Sequence, residues 1–131
     1  MRDIPKRFTD FIESYPEIAR AYEQLGAACH LAGPIPKKER ALLKLGISMG
    51  AWLEGAVHSH VRKSLEAGAT PEEIRHVALL ALPTLGFPAT MAVLTWVEDI
   101  LPKGRRPKAR QKPKGKPGPK RKVKSSPRRR R

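Results

Sequence analysis

Residues 52–82 read WLEGAVHSHVRKSLEAGATPEEIRHVALLAL, and this stretch decides the fold. Its centre is Thr70-Pro71-Glu72-Glu73. Threonine suits an N-cap, proline the first helical position, and Glu73 can reach back to close a capping box. Ile74, Val77, Ala78, Ala81 and Leu82 then fall on one helical face. Upstream, a helix is expected from Trp52 to Ala67, with Gly68 just past its end, where glycine tolerates a left-handed turn.

Working outward, the same 3.6-residue period recurs and no strand alternation competes with it. Phe8, Phe11, Ile12 and Tyr15 predict a first helix over residues 6–15. Pro16 opens a second, with Ser14 as a candidate cap. Ile18, Ala21, Tyr22, Leu25 and Ala28 trace its apolar face until Gly33-Pro34 stops it. Pro36 opens the next, where Leu42, Leu45 and Met49 face one way and Gly50 loosens or ends the helix. Pro83 to Pro88 is expected to break the chain before a last helix over residues 89–101, which Pro102 ends. The fold class is all-α, a bundle of five to six helices.

Val77 to Val97 is a stretch of 21 residues without a charge, long enough to cross a bilayer. Pro83, Gly86 and Pro88 divide it, so two buried helices are expected and no membrane span.

The net charge of +15 is unevenly distributed. From Lys103 onward there are 16 Lys and Arg and no acid, so the first 102 residues hold 11 basic against 12 acidic side chains. Two units follow: a helical domain over 1–102 and a basic tail over 103–131. The tail has five prolines and only Val123 as an aliphatic residue larger than alanine. It cannot bury enough apolar surface to offset its ordering entropy, so it is expected to be disordered. A body of about 100 residues supports one core, and oligomerisation would help to bury its apolar surface. One cysteine, Cys29, excludes an internal disulfide and reads as a small buried side chain. The N-terminus lacks the apolar segment of a secretory signal, and a cytoplasmic location is expected. Nothing in the sequence calls for a cofactor.

Three segments carry a resemblance: KERALLKLGIS from Lys38, GAVHSHVRKSLEAGATPEEIRHVALLAL from Gly55, and LGFPATMAVLTW from Leu85. Together they resemble the carboxymuconolactone decarboxylase family, which includes the alkylhydroperoxidase D-like proteins. The resemblance implies an alkylhydroperoxidase D-like helical bundle and a homo-oligomer, trimer or hexamer. It also implies a functional histidine at His60. The peroxidase members carry a CxxC pair whose positions fall here on Leu53 and Ala56, and a glutamate whose position falls on Ala41. Without those thiols no nucleophile remains for peroxide, so CxxC-type peroxidase activity is expected to be absent. The decarboxylase members lack the cysteine pair and are the closer chemical comparison. By that comparison His60 is the candidate acid or base, and Glu54 a second candidate beside it. The family's Arg-Glu pair reads Arg40-Ala41.

Helical geometry separates these candidates. At about 100° per residue, Glu54 and His58 are i, i+4 neighbours, while His60 points about 160° away from His58. Glu54, His58 and His60 carry metal-ligand side chains, but one subunit cannot bring all three together, and a site shared across an oligomer interface stays open. The favoured reading of Glu54 and His58 is a helix-stabilising or interface pair. His30 and His76 have no motif around them and read as surface residues. Phe87, Met91 and Trp96 read as core or interface.

The tail is expected to bind nucleic acid or another polyanion through Arg105, Arg106, Lys114, Lys116, Lys120, Arg121, Lys122 and Arg128, Arg129, Arg130 and Arg131. Counterion release makes such binding strong at low salt and weak at high salt. No aromatic residue is interleaved for base stacking. Pro113-Lys114-Gly115-Lys116-Pro117 resembles an AT-hook core with lysines in the arginine positions. A catalytically silent oligomeric scaffold with polyanion-binding tails is therefore the alternative to a small-molecule enzyme.

Overall fold

The computed structural model describes residues 4–103. The eleven basic residues expected to contact polyanions lie outside that range. Seven helical segments follow one another without a strand among the described residues: α1 (Lys6–Ser14), α2 (Pro16–Leu31), α3 (Lys37–Gly50), α4 (Glu54–Glu66), α5 (Pro71–Leu80), α6 (Leu82–Leu85) and α7 (Phe87–Ile100). The all-α expectation holds.

The core lies where α3, α4, α5 and α7 meet. Leu45, Val57, Val61, Ile74, Val93 and Val97 are fully buried there, with Met49, Ala78 and Leu101 beside them. Leu42, Leu65, Val77 and Trp96 pack against this cluster while keeping part of their surface in solvent. The apolar faces of α3 and α5 are thus the ones the periodicity marks, except that Leu82 is exposed.

Local chemistry fixes the element ends. The Thr70 side chain accepts from the Glu73 backbone N–H, and the Glu73 carboxylate accepts from the Thr70 backbone N–H, which completes the capping box. Gly68 has φ +90°, a conformation that costs glycine nothing and lets the chain leave α4.

Several sequence expectations need correction. Pro16 does open α2, but the N-cap is Tyr15 and Ser14 gives no cap bond. The helix expected from Trp52 begins at Glu54, because Trp52 has φ +59° and closes a tight turn with its N–H bonded to the Met49 carbonyl. The break around Pro83 to Pro88 is narrower than expected. Pro83 and Pro88 sit in the first turns of α6 and α7, where a missing N–H is harmless, and only Gly86, at φ +90°, interrupts the path. The uncharged stretch is therefore cut into short pieces, and no helix among the described residues is long and apolar enough to cross a membrane.

Cys29 is exposed rather than buried. The reason is the position of α2, which has no buried residue and packs mainly against α1. Ile18, Tyr22 and Leu25 form an apolar face as expected, yet the chain's own core does not cover it. Phe87 and Met91 are likewise exposed on α7, whereas Trp96 packs on the core.

Candidate functional site

α3 runs beside α4, and their polar flanks meet the end of α2. The side chains that project into this junction are cationic. Lys37, Arg40 and Lys44 recur along one stripe of α3, and His60 and Lys63 stand one turn apart on α4. With His30 from α2 they line a cavity of about 180 Å³. Glu66 is the one acid on its wall, and Ala41 and Ala67 provide small apolar surface.

The geometry inside is specific. Lys44 Nζ and His30 Nε2 lie 3.2 Å apart, a contact in which an ammonium can only donate and the ring nitrogen accept. Arg40 donates to the Ile35 carbonyl at 2.7 Å, so its guanidinium is tethered at the N-terminal end of α3. His60 is half-buried, and burial first, then Lys63, Lys44 and His30, push its pKa down to about 4. His30 is also held below its usual value, by burial and by Lys44, Arg40 and Lys63. The cavity therefore presents two imidazoles biased toward the neutral form within a ring of fixed positive charge.

The candidate residues separate as helical geometry requires. His60 faces this cavity, together with Ala41, on which the family's glutamate position falls. Leu53 and Ala56, the cysteine positions, would share the His60 face of a helix running from Trp52, but they do not line the cavity, and Leu53 stands ahead of α4. Glu54 and His58 face another side of α4. His58 Nε2 lies 3.1 Å from Asp99 Oδ2 on α7, so the partner of His58 is Asp99 and not Glu54. Glu54 approaches that pair, with the ligand-type atoms of Glu54, His58 and Asp99 all within 4.8 Å of one another. The third member of the group is thus Asp99 rather than His60.

Sequence reasoning missed His30, which it placed on the surface, and the basic residues of the cavity. A signal for the latter was available: Lys37, Arg40 and Lys44 repeat at helical spacing, opposite Leu42, Leu45 and Met49. His30 and Asp99 had none, since both reach their partners through tertiary packing.

A second, apolar groove of about 690 Å³ opens between α3, α5 and α6, with Leu43, Ile47, Leu80 and Leu85 exposed along it.

No curated protein and no solved structure matches the chain. The family model for "Carboxymuconolactone decarboxylase family" matches residues 16–99, which run from the start of α2 almost to the end of α7 and include every residue of the His60 cavity. The chain belongs to the carboxymuconolactone decarboxylase family.

Proposed function

We propose that the His60 cavity binds a small anionic molecule, and that the protein acts on it as a thiol-independent lyase or decarboxylase, or as a ligand-binding protein. The observation that carries this reading is a neutral His60 surrounded by Lys37, Arg40, Lys44 and Lys63. Four fixed cations around a small cavity favour a carboxylate or phosphate and disfavour a cation. His60 is kept deprotonated by burial first and then by the neighbouring cations, and an anion there would offset that second, electrostatic part, so binding and proton uptake would be coupled. Loss of carbon dioxide leaves an electron pair on carbon that must be stabilised and then protonated. Lysine and arginine would anchor the carboxylate, and a His60 charged in the complex would deliver the proton. Cys29 is exposed on α2 and is the chain's one thiol, so no dithiol chemistry is invoked.

The test is a thermal-shift titration with benzoate and with inorganic phosphate, on the wild-type chain, His60→Ala and Lys44→Ala. Stabilisation of the wild type that is lost in Lys44→Ala supports the reading. No stabilisation by either anion, or stabilisation that survives both changes, overturns it.

A second reading rests on a separate observation, the concentration of 16 basic residues from Lys103 onward. That segment is proposed to bind nucleic acid or another polyanion. A chain ending at Pro102 should lose retention on DNA, while His60→Ala should retain it, and retention independent of salt would refute an electrostatic origin.

Self-association is proposed as the setting for both readings. The uncovered apolar face of α2 and the groove between α3, α5 and α6 are the surfaces that a second copy would cover. Sedimentation of the wild type as a monomer at micromolar concentration would rule it out.

A further inference from the structure

We propose that Glu54, His58 and Asp99 form a binding site for a divalent first-row transition-metal ion, which clamps the start of α4 to the end of α7. The site is separate from the His60 cavity, because His60 leaves α4 in a different direction.

The donor set comes from two helices that pack on each other. Glu54 is the first residue of α4, and His58 lies one turn later on the same face. Asp99 comes from the last turn of α7. The carrier elements are also joined next to the site. Trp52, in the turn ahead of α4, meets Trp96, one turn before Asp99, edge to face with ring centroids 4.9 Å apart.

The distances suit a common ion. Zinc binds imidazole nitrogen and carboxylate oxygen at about 2.0–2.2 Å, so two ligands at neighbouring corners of a tetrahedron stand roughly 3.3–3.5 Å apart. The His58 and Asp99 atoms stand at 3.1 Å already. The whole set spans no more than 4.8 Å, and Glu54 is exposed, so rotation of one unconstrained side chain closes the remainder.

Charge supplies an independent reason. Glu54 takes part in no ion pair or side-chain hydrogen bond among the described residues. Among the described residues, Asp99 has an imidazole as its ion-pair partner and no Lys or Arg. Arg75 bonds the preceding acid, Glu98, at 2.6 and 3.2 Å. Asp99 also lies in a C-terminal helical turn, where the backbone dipole disfavours a carboxylate. Among the described residues, two carboxylates are thus held together around one imidazole with no fixed cation paired to either. A divalent ion would neutralise both and replace the single His58–Asp99 contact with three bonds. One imidazole with two carboxylates suits Zn²⁺ or Mn²⁺, whereas Ca²⁺ takes six to eight oxygens. Three protein ligands would leave a coordination position for water.

The experiment uses the full chain and Zn²⁺ in a non-chelating buffer, read by calorimetric titration and by thermal melting. One ion per chain and a raised melting temperature are expected. Glu54→Gln, His58→Gln and Asp99→Asn alter partly or fully exposed side chains, so each variant should fold, and each should weaken binding by about tenfold or more. His60→Ala should bind Zn²⁺ as the wild type does. Absence of stoichiometric binding to the wild type, binding that survives Asp99→Asn, or binding lost in His60→Ala would each overturn the proposal. The first outcome would leave His58 and Asp99 as a plain hydrogen-bonded pair.

Discussion

The Lys38 ammonium lies 2.9 Å from the Glu73 carboxylate, which joins the first turn of α3 to the first turn of α5. Glu73 has a second task, since its other oxygen accepts from the Thr70 N–H. That backbone hydrogen bond first, then the one from Lys38, holds the Glu73 carboxyl below its ordinary value of 4.5. The hydrogen bond to Glu73 raises Lys38 above its own.

These two tasks can be separated by substitution. Thr70→Ala removes the hydroxyl acceptor at the cap and should cost about 1 kcal/mol at every pH. Glu73→Gln can keep the reciprocal cap bond, because glutamine also serves in a capping box, but it loses the ion pair. A carboxyl with a lowered folded pKa contributes stability above pH 4.5, and that contribution is lost as pH falls through the lowered value. The melting temperature of wild type should therefore exceed that of Glu73→Gln at pH 7, and the two should converge in acid. Because both side chains are partly exposed, the gap should also narrow in molar salt. A gap that persists at pH 2 would show that Glu73 acts through packing instead.

Leu45 tests the core. It is fully buried on α3 amid Val57, Val61, Ile74 and Val97 of the same cluster. Leu45→Ala removes apolar burial and leaves a cavity, so denaturant unfolding should report a loss of about 2–5 kcal/mol. Leu43, two residues earlier, is exposed on the same helix. Leu43→Ala should cost far less in a monomer, and a comparable loss would mean that a second copy covers this face.

That contrast explains how much of the fold was legible. The capping box spans four residues and is decided by their own chemistry, so Thr70 to Glu73 announced it. The period of Leu42, Leu45 and Met49 identifies an apolar face in the same way. It does not say what lies opposite. Ile18, Tyr22 and Leu25 have as good a pattern, yet their face is open, and Cys29 is exposed with it. Trp52 departs from its helical pattern because a turn with φ +59° depends on the path from α3 to α4, not on its own preference.

The site was legible to the same depth. Helical angles separate His60 from Glu54 and His58, and the structure keeps that separation. The partners lay beyond reach, since Asp99 is 41 residues after His58 and Lys44 meets His30 across 14 residues. No local rule connects residues so far apart in sequence.

The acidity of His60 offers the most discriminating prediction. Its pKa falls from 6.5 to about 4 on folding, through burial and then through Lys63, Lys44 and His30. A histidine that folds neutral favours folding above its unfolded value, and this advantage is lost as pH falls from 6.5 through about 4. Wild-type stability should decline across that window more steeply than that of His60→Gln, which loses the His60 titration and keeps only that of His30 in the cavity. Ala41→Glu places a carboxylate on the same cavity wall, at the position where the family has glutamate. The new charge should raise the His60 pKa, because an opposite charge nearby favours the protonated ring. It should also weaken binding of benzoate or phosphate by occupying part of the cationic field. Imidazole chemical shifts followed by NMR from pH 3 to 8 check the first effect, and a thermal-shift titration checks the second. An unmoved His60 titration in Ala41→Glu would show that Ala41 and His60 do not share one electrostatic environment, and the anion-binding reading of the cavity would then lose its main support.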